Sequence, residues 1–149
     1  AEVVIPDKRG SGVIAAAGSK FGGWSFYLQD GKPVAYASVS GLPLPGAQSR
    51  VSSNQRLSSG LHRIKYQFTP DSGIGGSLSI EVDGKEVARG NIASRPRVLA
   101  GNGETFDTGR DTNVPVSPDY QREGEFNGQI NKVELILRMP SQRATPASQ

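Results

Sequence analysis

Ser77-Leu78-Ser79-Ile80-Glu81-Val82-Asp83-Gly84-Lys85-Glu86-Val87-Ala88 is the stretch that decides the fold. Leu78, Ile80 and Val82 alternate with Ser79, Glu81 and Asp83, the period of a strand with one face in a core. Asp83-Gly84 then supplies two residues that tolerate positive φ, the signature of a tight hairpin. The chain returns through Lys85, Glu86 and Val87.

The same signals recur outward from this hairpin. Trp24, Phe26 and Leu28 fall on one face of a strand, with Tyr27 on the other, ahead of a second Asp-Gly pair at Asp30-Gly31. Beyond Pro33, Val34 and Tyr36 alternate. Ile64, Tyr66 and Phe68 alternate with Arg63, Lys65 and Gln67. Val133, Leu135 and Leu137 alternate with Lys132 and Glu134, and Ile136 on the polar side predicts a strand covered on both faces. Val3-Val4-Ile5 reads as a strand at the start. Glycine or proline interrupts nearly every window of helical length, and residues 47–59 are serine-rich with only Val51 and Leu57 as large aliphatics. β-Branched Ile130, Val133 and Ile136 favour strand over a short helix. Short strands between turn signals predict an all-β antiparallel sandwich. One domain is expected over residues 1–138, with a C-terminal tail over 139–149.

Composition narrows the function. The 149 residues are 35% hydrophobic with 19 Gly and 10 Pro, and contain no cysteine. Disulfides, thiolate metal sites and a cysteine nucleophile are therefore excluded. Net charge is +3, from 17 Lys and Arg against 14 Asp and Glu. The charges are interspersed, and no aromatic falls between Phe68 and Phe106, so nucleic-acid binding is not expected. No apolar run approaches the ~18 residues that cross a bilayer, and no membrane partner is expected. The first residues lack the basic-then-apolar layout of a signal peptide. A soluble chain is expected, and its compartment stays open. The single histidine, His62, stands beside Arg63 with no orienting carboxylate near it in sequence, so a catalytic triad is not expected. Gly73-Ile74-Gly75-Gly76 runs into a strand rather than opening a helix with Lys-Ser/Thr, so it is not a phosphate loop.

Residues 104–120, ETFDTGRDTNVPVSPDY, stand apart. Glu104, Asp107, Asp111 and Asn113 are oxygen donors close in sequence, the kind that calcium takes. Their spacing is not that of an EF-hand, and Arg110 between the aspartates can pair with either. A turn network held by Asp and Asn bonding their own backbone is the favoured reading. A docking loop and a structural calcium site are the alternatives.

Four blocks carry a family likeness: GVIAAAGSKFGGWSFYL at 12–28; Asp30-Gly31-Lys32-Pro33-Val34 with Gly41-Leu42; SLSIEVDGKEVARG at 77–90; and 104–120 followed by Phe126-Asn127-Gly128 and Ile130-Asn131-Lys132-Val133. In this order they resemble the C-terminal domain of bacterial arylsulfatases, over residues 10–138. The resemblance implies a jelly-roll sandwich similar to concanavalin-like and laminin-G-like domains. It implies a non-catalytic accessory domain packing on a sulfatase catalytic domain, its main partner. The formylglycine motif of that enzyme family is missing: Ser94-Arg95-Pro96-Arg97 and Pro140-Ser141-Gln142-Arg143 do not match it, so no catalytic residue or cofactor is expected in this chain. Such an accessory domain should expose an apolar patch where its partner docks. The alternative is a free-standing carbohydrate-binding module for sulfated glycans. The candidate docking or ligand residues are Tyr27, Arg95, Arg97, Arg110, Asp119 and Tyr120. Trp24 is expected in the core, with Tyr27 and Tyr120 exposed for stacking on a sugar, and Arg89 joining the other arginines opposite sulfate oxygens.

Overall fold

The structure is a computed structural model describing residues 1–7, 9–96 and 105–138. The described residues form ten strands and no helix: β1 Glu2–Ile5, β2 Gly12–Ser19, β3 Gly22–Gln29, β4 Lys32–Ser38, β5 Gln48–Ser52, β6 Gly60–Pro70, β7 Gly76–Val82, β8 Lys85–Ile92, β9 Phe106–Thr108 and β10 Gln129–Lys132. They pair antiparallel in two five-stranded sheets, ordered β10-β1-β6-β7-β8 and β5-β4-β3-β2-β9. The chain is an all-β sandwich.

Both Asp-Gly pairs turn hairpins as their chemistry dictates. Asp30 and Gly31 have φ of 50° and 76°, and Asp83 and Gly84 have 51° and 83°. Positive φ at both central residues gives a turn whose twist matches the strands it joins.

The core between the sheets takes Val3 and Ile5 from β1, Ile14 from β2, Leu28 from β3, Ala35 and Ala37 from β4, and Val51 from β5. Ile64, Leu78, Ile80, Val82 and Ile92 line the β1 sheet beside Val3 and Ile5, facing the residues of β2 to β5, and Phe126 closes one side. Each buried aliphatic side chain contributes about 1.5–3 kcal/mol on leaving water. A second cluster lies on the opposite face of the β2–β3–β4 sheet: Val13, Ala16, Tyr27, Val34 and Tyr36, roofed by Val116 and Tyr120. That sheet is therefore covered on both faces, and every residue of β2 is buried. A register shift between Val13 and Ala15 lets Ile14 and Ala15 follow each other on the inner face.

Three expectations change. The alternating Val133, Leu135 and Leu137 do not make the expected doubly covered strand: pairing stops at Lys132, and Leu135, Ile136 and Leu137 are 56%, 69% and 81% exposed. Within 104–120, Phe106–Thr108 forms a short edge strand on β2, since three residues suffice to cap a sheet edge there. Trp24 faces inward but is half-buried, stacked on Phe26 with ring centroids 4.6 Å apart. The expected tail, 139–149, lies outside the described residues.

Candidate functional site

The segment after β9 crosses the outer face of the β2–β3–β4 sheet, and its polar residues fasten it there. Asp107 accepts the Thr112 N–H at 2.9 Å and the Thr112 hydroxyl at 2.6 Å, and also the Thr105 hydroxyl at 2.9 Å. Partial burial raises the Asp107 carboxyl, but the Thr112 and Thr105 donors outweigh it and hold the group below its usual range. Asp111 is 1% exposed. It accepts the Val116 N–H at 2.8 Å and the Tyr120 hydroxyl, and its own N–H donates to the Glu123 carbonyl at 2.7 Å. Asn113 sits in the turn at φ 62°, a left-handed conformation that Asn adopts readily. Glu104 lies outside the described residues.

Asp107 and Asp111 thus serve separate donor sets within their own loop. Among the described residues no group of three or more carboxylate and imidazole side chains gathers to hold a metal ion. The Arg110 charge adds to what holds the Asp107 carboxyl down. Its guanidinium lies 3.5 Å from Glu123, both side chains being half-exposed.

Tyr27 and Tyr120 are not the exposed stacking platforms expected for a sugar. Tyr27 is 1% exposed, because the 111–124 segment roofs the face it occupies. It donates its hydroxyl to Asp119 at 2.5 Å and lies 3.1 Å from the Ser117 hydroxyl. Burial first, and the Asp119 carboxylate second, push its phenol well above the ordinary range. Asp119 is also engaged by Arg50 at 2.7 Å, and Arg50 reaches Gln29 at 2.6 Å. Tyr120 meets Tyr27 edge-on at 5.1 Å, donates to Asp111, and lies 2.9 Å from the Ser25 hydroxyl. Burial, then Asp111, raise its phenol likewise. Of the arginines, Arg95 bonds the Gly73 carbonyl and Arg89 pairs with Glu86 at 2.6 Å. Arg97 lies outside the described residues. The structure assembles a clamp here: each polar group is satisfied by the segment or by the sheet beneath it.

His62 does have a carboxylate, supplied by the register of β6 on β7 rather than by sequence proximity. Its Nδ1 lies 2.7 Å from Asp83, and its Nε2 lies 3.0 Å from the Ser58 carbonyl and 3.3 Å from the Ser58 hydroxyl. This superficially resembles a Ser-His-Asp relay. Ser58 brings both its carbonyl and its hydroxyl to the same ring nitrogen, the carbonyl nearer. The arrangement is a strap between the β5–β6 loop and the β7–β8 turn. The Arg63 N–H first, and His62 second, hold the Asp83 carboxyl below its usual range. A group depressed in the folded state stabilises above its unfolded pKa of about 3.9 and loses that contribution as pH falls through the folded value. Asp83→Asn keeps the left-handed turn and removes the charge. We expect a loss well under ~1 kcal/mol at pH 7, because Asp83 is half-exposed. Urea midpoints of wild type and variant should converge below about pH 4; an equal gap at both pH values would refute the assignment.

The feature that sequence reading located least well lies at one end of the sandwich. There the β2–β3, β4–β5 and β6–β7 turns and the start of β9 meet. Phe21, Leu42, Leu44, Ile74 and Phe106 are 54%, 62%, 54%, 74% and 48% exposed. Phe21 lies against Gly41, where a Cβ would come within 2.6 Å of its ring; Gly46 faces Ala93, and the Arg95 N–H bonds the Ile74 carbonyl at 2.7 Å. Phe106 packs 5.9 Å from Trp24. At the opposite end, with its Asp-Gly turns and polar 53–59 loop, Leu61 is the one exposed large hydrophobic among the described residues. The sequence signal was present in Gly41-Leu42-Pro43-Leu44-Pro45-Gly46: leucines placed inside turn chemistry, where polar residues are usual.

Comparison with protein-family models, with curated proteins and with solved structures finds no match to this chain. No helix among the described residues is long and apolar enough to cross a membrane.

Proposed function

We propose that this is a non-catalytic accessory domain of an arylsulfatase-like hydrolase, docking on the catalytic domain through its apolar end. The concentration of exposed large hydrophobics on the turns of that one end carries the reading. Isolated apolar residues on a surface need no explanation, but a cluster from four separate chain segments suits a protein interface. The order of the four sequence blocks supplies the kind of partner. The clamp of 107–124 supports a structural rather than a ligand-binding use of the acidic segment, since its carboxylates and phenols are engaged internally. A jelly-roll connectivity, as the resemblance implies, agrees with a two-sheet sandwich.

The test is a titration of this chain into an arylsulfatase catalytic domain expressed without its own C-terminal region. Saturable binding in the micromolar range or tighter is expected, about −8 kcal/mol or better. Leu42→Asp/Leu44→Asp/Ile74→Asp should abolish it, while the urea midpoint stays near wild type because those side chains are exposed. No binding by the wild type, or equal binding by the variant, would refute the proposal. Binding instead to sulfated oligosaccharides, retained in the variant, would favour the glycan module.

A further inference from the structure

β10 is the edge strand of its sheet, and among the described residues no strand pairs with its far side. The chain runs on from Lys132 through Val133-Glu134-Leu135-Ile136-Leu137-Arg138, with no turn, bend or positive φ to interrupt it. Continuing the Glu2↔Lys132 register, Val133, Leu135 and Leu137 fall on the inner face of the sheet, and Glu134, Ile136 and Arg138 on the outer face. Val133 packs against the core cluster, while Leu135, Ile136 and Leu137 are 56%, 69% and 81% exposed. An edge strand that exposes apolar residues on both faces is a template for pairing with another strand.

The pattern of that strand points to its partner. Glu134-Leu135-Ile136-Leu137-Arg138 is apolar in the middle and carries opposite charges at its two ends, so it is complementary to its own reverse. Residues directly opposite in an antiparallel pair share a face, so a two-fold axis normal to the sheet must pass through a residue. An axis at Ile136 sets Leu135 opposite Leu137 of the second copy, and Leu137 opposite its Leu135, in one apolar row on the inner face. On the outer face it sets Glu134 opposite Arg138, and Arg138 opposite Glu134, on either side of the two Ile136 side chains. Opposite-charge and apolar cross-strand pairs both stabilise such a ladder, and like charges directly opposite destabilise it. Moving the axis to Leu135 would set Lys132 against Arg138, and moving it to Glu134 would set the two Glu134 side chains against each other. The charges therefore select one register. Glu134 lies 2.7 Å from Lys132 within its own chain, but both side chains are exposed and such a pair holds weakly.

We propose that 134–138 is a contact between two copies of this chain, which pair these strands antiparallel about Ile136 and join their sheets edge to edge. The alternation of Val133, Leu135 and Leu137, which finds no partner strand among the described residues of one copy, finds it in the second. None of the five side chains assigned to docking belongs to this strand, so the two surfaces can fail independently. The contact is short, well below the area of a permanent dimer, which sets a dissociation constant on the order of 10–100 µM.

Sedimentation equilibrium at concentrations below and above that range tests it. The mass of the wild type should rise from monomer toward dimer. Glu134→Arg and Arg138→Glu each set like charges opposite one another at both ends of the contact, and each should weaken dimerisation by about tenfold. Mixed one to one, the two variants should dimerise about as tightly as the wild type, because each then meets its complement. A variant that had only lost its fold would not be rescued in this way. A wild type that stays monomeric, a dimer that neither variant weakens, or a mixture no tighter than the variants alone would overturn the proposal.

Discussion

Asp111→Ala should lower stability by about 3–4 kcal/mol, since two hydrogen bonds to a charged acceptor, each contributing about 1.5–3 kcal/mol, are lost together. The Val116 N–H and Tyr120 hydroxyl it now receives would be left without it, beneath a segment that shields them from water. At this chain length each kcal/mol shifts the midpoint by about 2–4 °C, so a drop near 10 °C is expected. The consequence should reach Tyr27, because the roof over it includes Val116 and Tyr120. Its phenol should then titrate closer to the ordinary range, which ultraviolet absorbance against pH would read. Asp111→Asn should lose less, since its amide oxygen can still accept from one donor. If Asp111→Ala behaves like Asp71→Ala, an exposed aspartate, the clamp is not what holds this face.

Gly12→Ala should cost roughly 3–5 kcal/mol. Gly12 has φ +109°, outside the range a side chain tolerates. A Cβ there would also stand 2.3 Å from the Glu125 carbonyl oxygen and 2.6 Å from the Phe126 Cα. That contact exists because the returning chain is sewn to the start of β2: Val13 N–H donates to the Gly124 carbonyl at 2.7 Å, and Asn127 N–H to the Ser11 carbonyl at 3.0 Å. Gly60 separates the two causes. It has the same φ of +109°, but a Cβ there meets nothing within 4 Å. Gly60→Ala should therefore show the backbone strain alone, about 1–3 kcal/mol. Equal losses at the two positions would mean that the close approach of 124–127 contributes nothing.

The hairpins were legible because Asp-Gly fixes a turn locally and alternation fixes a face. β2 was not, because GVIAAAGS is covered on both sides and carries no alternation. The covering comes from a segment about ninety residues away, as the Tyr27–Asp119 bond across 92 positions illustrates. The same distance explains why Tyr27 read as exposed: its face of the strand is polar-looking only if nothing roofs it. β5, Gln48–Ser52, was hidden by its serines, since an edge strand needs few apolar residues. His62 found Asp83 through the β6–β7 register, which sequence spacing does not display. The turn chemistry of 107–120 was readable in Asp and Asn among small and polar residues, but Glu123 as the partner of Arg110 was not. The apolar end was spread over three connections and the start of β9; the leucines of residues 41–46 were its one local signal, and only the closing of the two sheets brings it together.

Amide chemical shifts of this chain, recorded with and without the truncated arylsulfatase catalytic domain, test the central claim most directly. The account predicts that the largest changes fall on Phe21, Leu42, Leu44, Ile74 and Phe106, with the clamped 111–124 segment and the Asp83-Gly84 turn unmoved. Changes centred on 107–120, or none at all, would contradict it.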